Sequence, residues 1–127
     1  MKRKVFIPFF LILSVLFCRS TDGQQSESHR AMNRPFKPFR IIGNIHYVGA
    51  SDVTSYLITT PQGHILLDSG FQETVPQIKK NGAELGFRLE DVKILLTGHA
   101  HIDHVGGMAE LKQTTKATLI VGAPDAE

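Results

Sequence analysis

Cysteine is nearly absent from this sequence: Cys18 is the single one in 127 residues. Disulfide frameworks need cysteines in even number, and thiol catalysis or a thiolate metal site needs at least one in the folded domain. If Cys18 leaves with a cleaved leader, all of these are excluded. Long apolar runs are missing too. The longest, Val5 to Phe17, has thirteen residues, which as a helix spans about 20 Å against a bilayer core of roughly 30 Å. Nor is there an excess of one charge. The 14 basic and 12 acidic residues leave a formal +2, with a pI near 8.8. Four of the basic residues (Lys2, Arg3, Lys4, Arg19) lie in the first twenty positions and every acidic one lies after them. Beyond position 20, ten bases therefore face twelve acids, a net of −2. No basic stripe is left for nucleic acid.

The amino terminus is organised for export. Lys2, Arg3 and Lys4 precede the apolar run, and Cys18 and Ser20 place small residues third and first before a cut after Ser20. That is the pattern of a secretory signal peptide, and it predicts a secreted or periplasmic protein without stable membrane insertion after cleavage. A buried amino-terminal helix is the alternative, and Pro8 suits it poorly. A lipoprotein acylated at Cys18 is the other, and there Phe17 occupies a position that favours a small residue.

Residues 21–40 read as a polar, Pro-containing tether: Thr21 to Ser28 lack periodicity, and Pro35 and Pro38 break up the rest of the stretch. Residues 41–127 read as the folded part. Ile41-Ile42 and Ile45 to Val48 flank a Gly43-Asn44 turn as a strand pair. Val53 to Thr60 and Ile65 to Leu67 should pair as a hairpin across Pro61-Gln62-Gly63-His64. After Asp68 the period changes. Thr74 is placed to cap a helix with Pro76 in its first turn and Val75, Ile78 and Leu85 on one face, ending at Gly86. Gly82 inside it costs about 1 kcal/mol relative to alanine. Val92 to Leu96 reads as a buried strand, Gly107 to Thr115 as a helix with Met108 and Leu111 inward, and Ala117 to Val121 as a second buried strand. Strand, helix, strand at this spacing predicts parallel pairing, so the fold class is α/β with an antiparallel start.

The chemistry is concentrated after Leu96. His99, His101, Asp103 and His104 fall within six residues, at the carboxyl end of a buried strand where α/β sheets form ligand sites. Taken as extended chain, the loop turns positions 99, 101 and 103 to one side and His104 elsewhere. His99 and His101 would then serve one metal ion, with Asp103 and His104 reaching a second. Imidazole and carboxylate donors without a thiol suit zinc best. Four ligands shared between two ions leave open positions for water, as catalytic sites do. Asp68, at the end of Ile65-Leu66-Leu67, is either an acceptor that orients these ligands or loop amides, or a turn aspartate bonding its own backbone. His46 and His64 read as packing or surface histidines. His29 falls in the tether, and Tyr47, Tyr56 and Phe87 read as core.

Four stretches together resemble the amino-terminal half of the third, dizinc subclass of metallo-β-lactamases: Gly43 to Gly49, Ser55 to Thr60, Gly63 to Gly70, and His99 to Gly107. The resemblance runs from about Pro38 to the end. The H-x-H-x-D-H loop is shared across the superfamily, including glyoxalase II-like thioester hydrolases, and the upstream strands narrow it. Gly98 stands between Thr97 and His99, where glyoxalase II-like enzymes place threonine directly before the first histidine. What the resemblance implies is an αββα sandwich of which this chain holds the first half. His99 and His101 would bind the first zinc, Asp103 and His104 the second, with Asp103 also orienting the nucleophile. The implied activity is opening of the β-lactam ring, a small-molecule substrate, by a metal-bound hydroxide. The family takes one further histidine per zinc from its second half, and no histidine follows His104 here. The chain therefore reads as an incomplete product or gene fragment. A thioester hydrolase of the same fold, or an inactive metal-binding fragment, are the other readings.

Overall fold

The computed structural model describes residues 27–123. The leader and its cut after Ser20 lie outside the described residues, as does Cys18. Among the described residues no helix is long and apolar enough to cross a membrane.

Six strands form one sheet in chain order: β1 (Phe39–Ile42), β2 (Ile45–Tyr47), β3 (Tyr56–Ile58), β4 (His64–Leu67), β5 (Val92–Leu96) and β6 (Thr118–Ile120). The first four pair antiparallel, and β4–β5 and β5–β6 pair parallel. The expected hairpins and the parallel unit are all present. The switch from antiparallel to parallel follows from the connections. Short turns can only reverse the chain, whereas the long excursions after β4 and β5 have room to bring it back in the same direction.

Helix α1 (Val75–Glu84) fills the first excursion. The second carries a single turn, α2 (Ile102–Val105), and then α3 (Met108–Thr115). Side chains directly opposite in a sheet share a face, and the register aligns His46, Leu57, Leu66, Leu95 and Leu119. Against that row α1 lays Val75 and Ile78, and α3 lays Met108 and Leu111, to make the core. Leu66, Leu95 and Leu111 are fully buried in it. His46 and His64 flank the Phe87 ring at 4.9 and 5.5 Å, so both are packing histidines.

Four elements differ from the sequence expectation. The strand expected over Val53 to Thr60 forms only at Tyr56–Ile58. Thr74 does stand at the start of α1, but its hydroxyl makes no cap. A preceding 3-10 turn (Gln72–Thr74) already holds it in helical conformation, and the hydroxyl donates instead to Asn33 Oδ1 at 2.7 Å. The expected tether is structured over its described residues, 27–40. Residues 27–32 are helical, β1 starts at Phe39, and the Ser51 and Asp52 amides donate to the Arg34 and Met32 carbonyls. The last strand is shorter than expected and lies at the sheet edge, with Thr118 and Ile120 exposed rather than buried.

Candidate metal centre

Parallel neighbours β4 and β5 end at the same edge of the sheet, so the loops that leave them meet there. Asp68 follows β4 and Thr97 follows β5, and the two join at once: Thr97 Oγ1 donates to Asp68 Oδ1 at 3.1 Å, and the Gly98 amide donates to the same oxygen at 3.0 Å. The other oxygen, Oδ2, lies 2.8 Å from His104 Nδ1. A buried carboxylate thus sits beneath the histidine loop and fixes both its first residues and one of its rings. Of the two sequence readings of Asp68, the orienting acceptor is the observed one. The bond selects the His104 tautomer with hydrogen on Nδ1, which leaves the Nε2 lone pair available to a metal.

The loop itself departs from the extended geometry expected of it. It bends over residues 98–100, is extended at His101, and then closes the helical turn α2, with the His104 amide donating to the His101 carbonyl at 2.9 Å. Because of that turn His104 does not face elsewhere. Its ring centroid lies 4.0 Å from that of His99, which in turn lies 4.6 Å from that of His101. Asp103 Oδ2 lies 3.5 Å from His104 Nε2. All four residues are therefore gathered, and none is fully buried.

The donors fit a metal ion in kind and in spacing for one pair. Two ligands on a tetrahedral ion with bonds of about 2.0–2.1 Å stand about 3.3 Å apart, close to the observed 3.5 Å between Asp103 and His104. Among the described residues, however, no group of three or more donors is arranged to hold an ion.

A second clasp went unread in the sequence. Ser69 Oγ donates to the His104 carbonyl at 3.0 Å and accepts from the Gly107 amide at 3.0 Å, while the Ser69 amide donates to the same His104 carbonyl at 2.8 Å. The signal was available: Ser69-Gly70 directly follows a strand whose parallel neighbour carries the histidines. Gly106 and Gly107 are needed there for space rather than for conformation. A Cβ on Gly107 would meet Ser69 Cβ at 3.2 Å, and one on Gly106 would meet the Phe71 backbone at 2.9 Å.

A histidine-aspartate loop at the carboxyl end of a parallel strand, backed by a buried carboxylate, stands where α/β sheets build their ligand sites. Comparison with known proteins makes this specific. The model of the metallo-beta-lactamase superfamily matches residues 48–127, and the chain belongs to that superfamily.

Among solved structures it is similar to the native FEZ-1 metallo-beta-lactamase from Legionella gormanii. Identity there is 51% and TM-score 0.73, over 74% of this chain and 36% of that one. It is also similar to the class B3 di-zinc metallo-beta-lactamase LRA-12 from an Alaskan soil metagenome, at 52% and TM-score 0.67 over 68% and 33%. A third is the Cronobacter sakazakii enzyme described by its HARLDQ motif, at 40% and TM-score 0.76 over 80% and 37%. The resemblance to the third subclass thus holds, and this chain carries histidines at positions 101 and 104 where that motif prints arginine and glutamine. The chain spans about a third of the length of these relatives.

Proposed function

We propose that this chain is the amino-terminal part of a zinc β-lactamase, with His99 and His101 serving one ion and Asp103 and His104 a second. The observation that carries the reading is the gathered donor set with His104 Nδ1 bound to buried Asp68, an arrangement that serves to aim Nε2 at a metal. The di-zinc description of one similar structure supports zinc as that metal. Bound there, zinc would supply the positive charge that acidifies water and polarises the lactam carbonyl. The chain's own residues do the rest. Asp103, partly exposed beside His104, would accept a hydrogen bond from the attacking water and aim it. Asp68 holds His104 in one tautomer, and the Ser69 clasp keeps the His104 backbone from drifting.

In the longest form of the protein that contains this chain, replacing His101 or Asp103 with alanine should abolish penicillin and nitrocefin hydrolysis. Bound zinc should fall below two ions per chain, with the fold intact by circular dichroism. Full turnover in both variants would remove the assignment. Faster hydrolysis of glutathione thioesters than of penicillins would move it to the thioesterase branch.

We further propose export, with cleavage after Ser20. Mass spectrometry of protein recovered from the periplasm of an expressing bacterium should show a chain starting at Thr21. An intact Met1 or an acylated Cys18 would contradict this.

A further inference from the structure

The histidine loop rests on the segment that follows β4, and that segment is itself held from outside the sheet. Phe71 is buried, and its backbone lies directly under Gly106, leaving no room for a Cβ there. On its other side the His29 ring lies flat against the Phe71 ring, with centroids 4.1 Å apart and planes inclined by 19°. Met32 packs into the same small cluster with Ala50, Val53 and Phe71. Three residues after Phe71, Thr74 Oγ1 donates to Asn33 Oδ1 at 2.7 Å. The far side of residues 27–34 is fastened as well: the Met32 and Arg34 carbonyls accept the Asp52 and Ser51 amides at 3.0 Å, and Ser51 Oγ adds a bond of 3.1 Å to the Met32 carbonyl.

These contacts form an unbroken chain. His29 and Asn33 fix Phe71 and Thr74, Phe71 fixes the Gly106 turn, and Ser69 joins Gly107 to the His104 carbonyl. Neither His29 nor Asn33 belongs to the metal donor set, and the core of α1, α3 and the sheet is complete without them.

We infer that residues 27–34 are a strap that positions the histidine loop, with His29 as its stacking contact and Asn33 as its hydrogen-bond contact. The consequence for metal rests on the zinc reading above, while the mechanical link stands on the contacts alone. His29 is accordingly a positioning residue.

Amide hydrogen exchange on the full chain tests the link without metal. His29→Ala should speed exchange of the Ser69 and Gly107 amides about tenfold by local opening and leave the β4 and β5 amides of Leu66 and Leu95 unchanged. His29→Phe, which keeps a flat ring on Phe71, should restore protection, and Asn33→Ala should act at the same two amides. Uniform acceleration across all amides would reduce the strap to general stability and overturn the inference, as would unchanged exchange at Ser69 and Gly107. A His29→Phe chain that behaves like His29→Ala would overturn the stacking. In a parallel arm, zinc ion is titrated against a chromophoric chelator in the longest form of the protein that contains this chain, and His29→Ala should weaken uptake. Absence of uptake by that form without substitution would count against the zinc reading, and the exchange pattern would still decide the strap.

Discussion

Asp68 shows how much a single residue carries here. It adopts a left-handed backbone with φ of 59°, a conformation that non-glycine residues avoid. Its surroundings hold it there: its amide donates to the Leu96 carbonyl, its carbonyl accepts from Ser55 Oγ, and its carboxylate takes the three bonds of the histidine loop. An uncommon backbone conformation persists only where surrounding contacts over-determine it, as they do here. Tyr47 makes a second residue-scale case, with a pH consequence. Burial, reinforced by Tyr56 and Asp52, pushes its phenol above the usual tyrosine value. The folded chain therefore holds that proton more tightly than the unfolded one. Stability from this group is intact below about pH 10 and is lost as pH rises through the raised value. Tyr47→Phe should flatten the alkaline loss of stability in urea melts taken from about pH 8 to 11. At neutral pH it should cost about 1 kcal/mol, since the hydroxyl donates to the Ala50 carbonyl. An unchanged alkaline slope would show that other groups set it.

Among the elements, α1 and the histidine loop use glycine for opposite reasons, and the two should respond oppositely to alanine. In α1 a Cβ on Gly82 meets only the Phe87 carbonyl oxygen at 3.7 Å, an ordinary contact, and a small cavity lies alongside. Gly82→Ala should stabilise by up to about 1 kcal/mol, the helix-propensity difference. At Gly106 the same methyl would stand 2.7 Å from the Ile102 carbonyl oxygen and 2.9 Å from Phe71 Cα, with backbone on both sides and nothing flexible to give way. Gly106→Ala should cost about 1–3 kcal/mol by overpacking. Equal effects in denaturant melts would contradict the packing described. The start of α1 and its stop were legible, because Pro76 suits the first turn and Gly86, at φ of 87°, suits the left-handed residue after the last one. The α2 turn was not. Four residues make a single turn, too short to show a period, and the turn exists because its carbonyls and glycines interlock with residues 69–72.

For the molecule as a whole, the sheet is covered on one face. On the other, the register aligns Ile58, Ile65 and Ile94 in one row and Leu67, Leu96 and Ile120 in the next, all partly or fully exposed among the described residues. Contiguous apolar surface of that kind drives association. The chain by itself should bind a hydrophobic dye strongly, self-associate in sedimentation, and unfold broadly even with excess zinc. Replacing Ile65 and Ile94 with threonine should reduce association while keeping the sheet. A monodisperse, dye-free chain with a sharp transition would show that the face is closed in a way the register does not provide.

The sequence by itself determined what depends on local pattern: the hairpins through their turns, α1 and β5 through periodicity, and the donor residues through their density after a buried strand. It also carried the family, through the strand motifs around Gly43 to Gly70. Tertiary structure decided how those donors face one another. A loop's side-chain directions are set by what it packs against, so extended-chain alternation misplaced His104, and only the fold could seat it beside His99 and over Asp68. The role of residues 27–34 was likewise invisible. Nothing local marks a polar stretch whose Met32 carbonyl and Asn33 side chain find their partners, Ser51 and Thr74, 19 and 41 residues further along the chain.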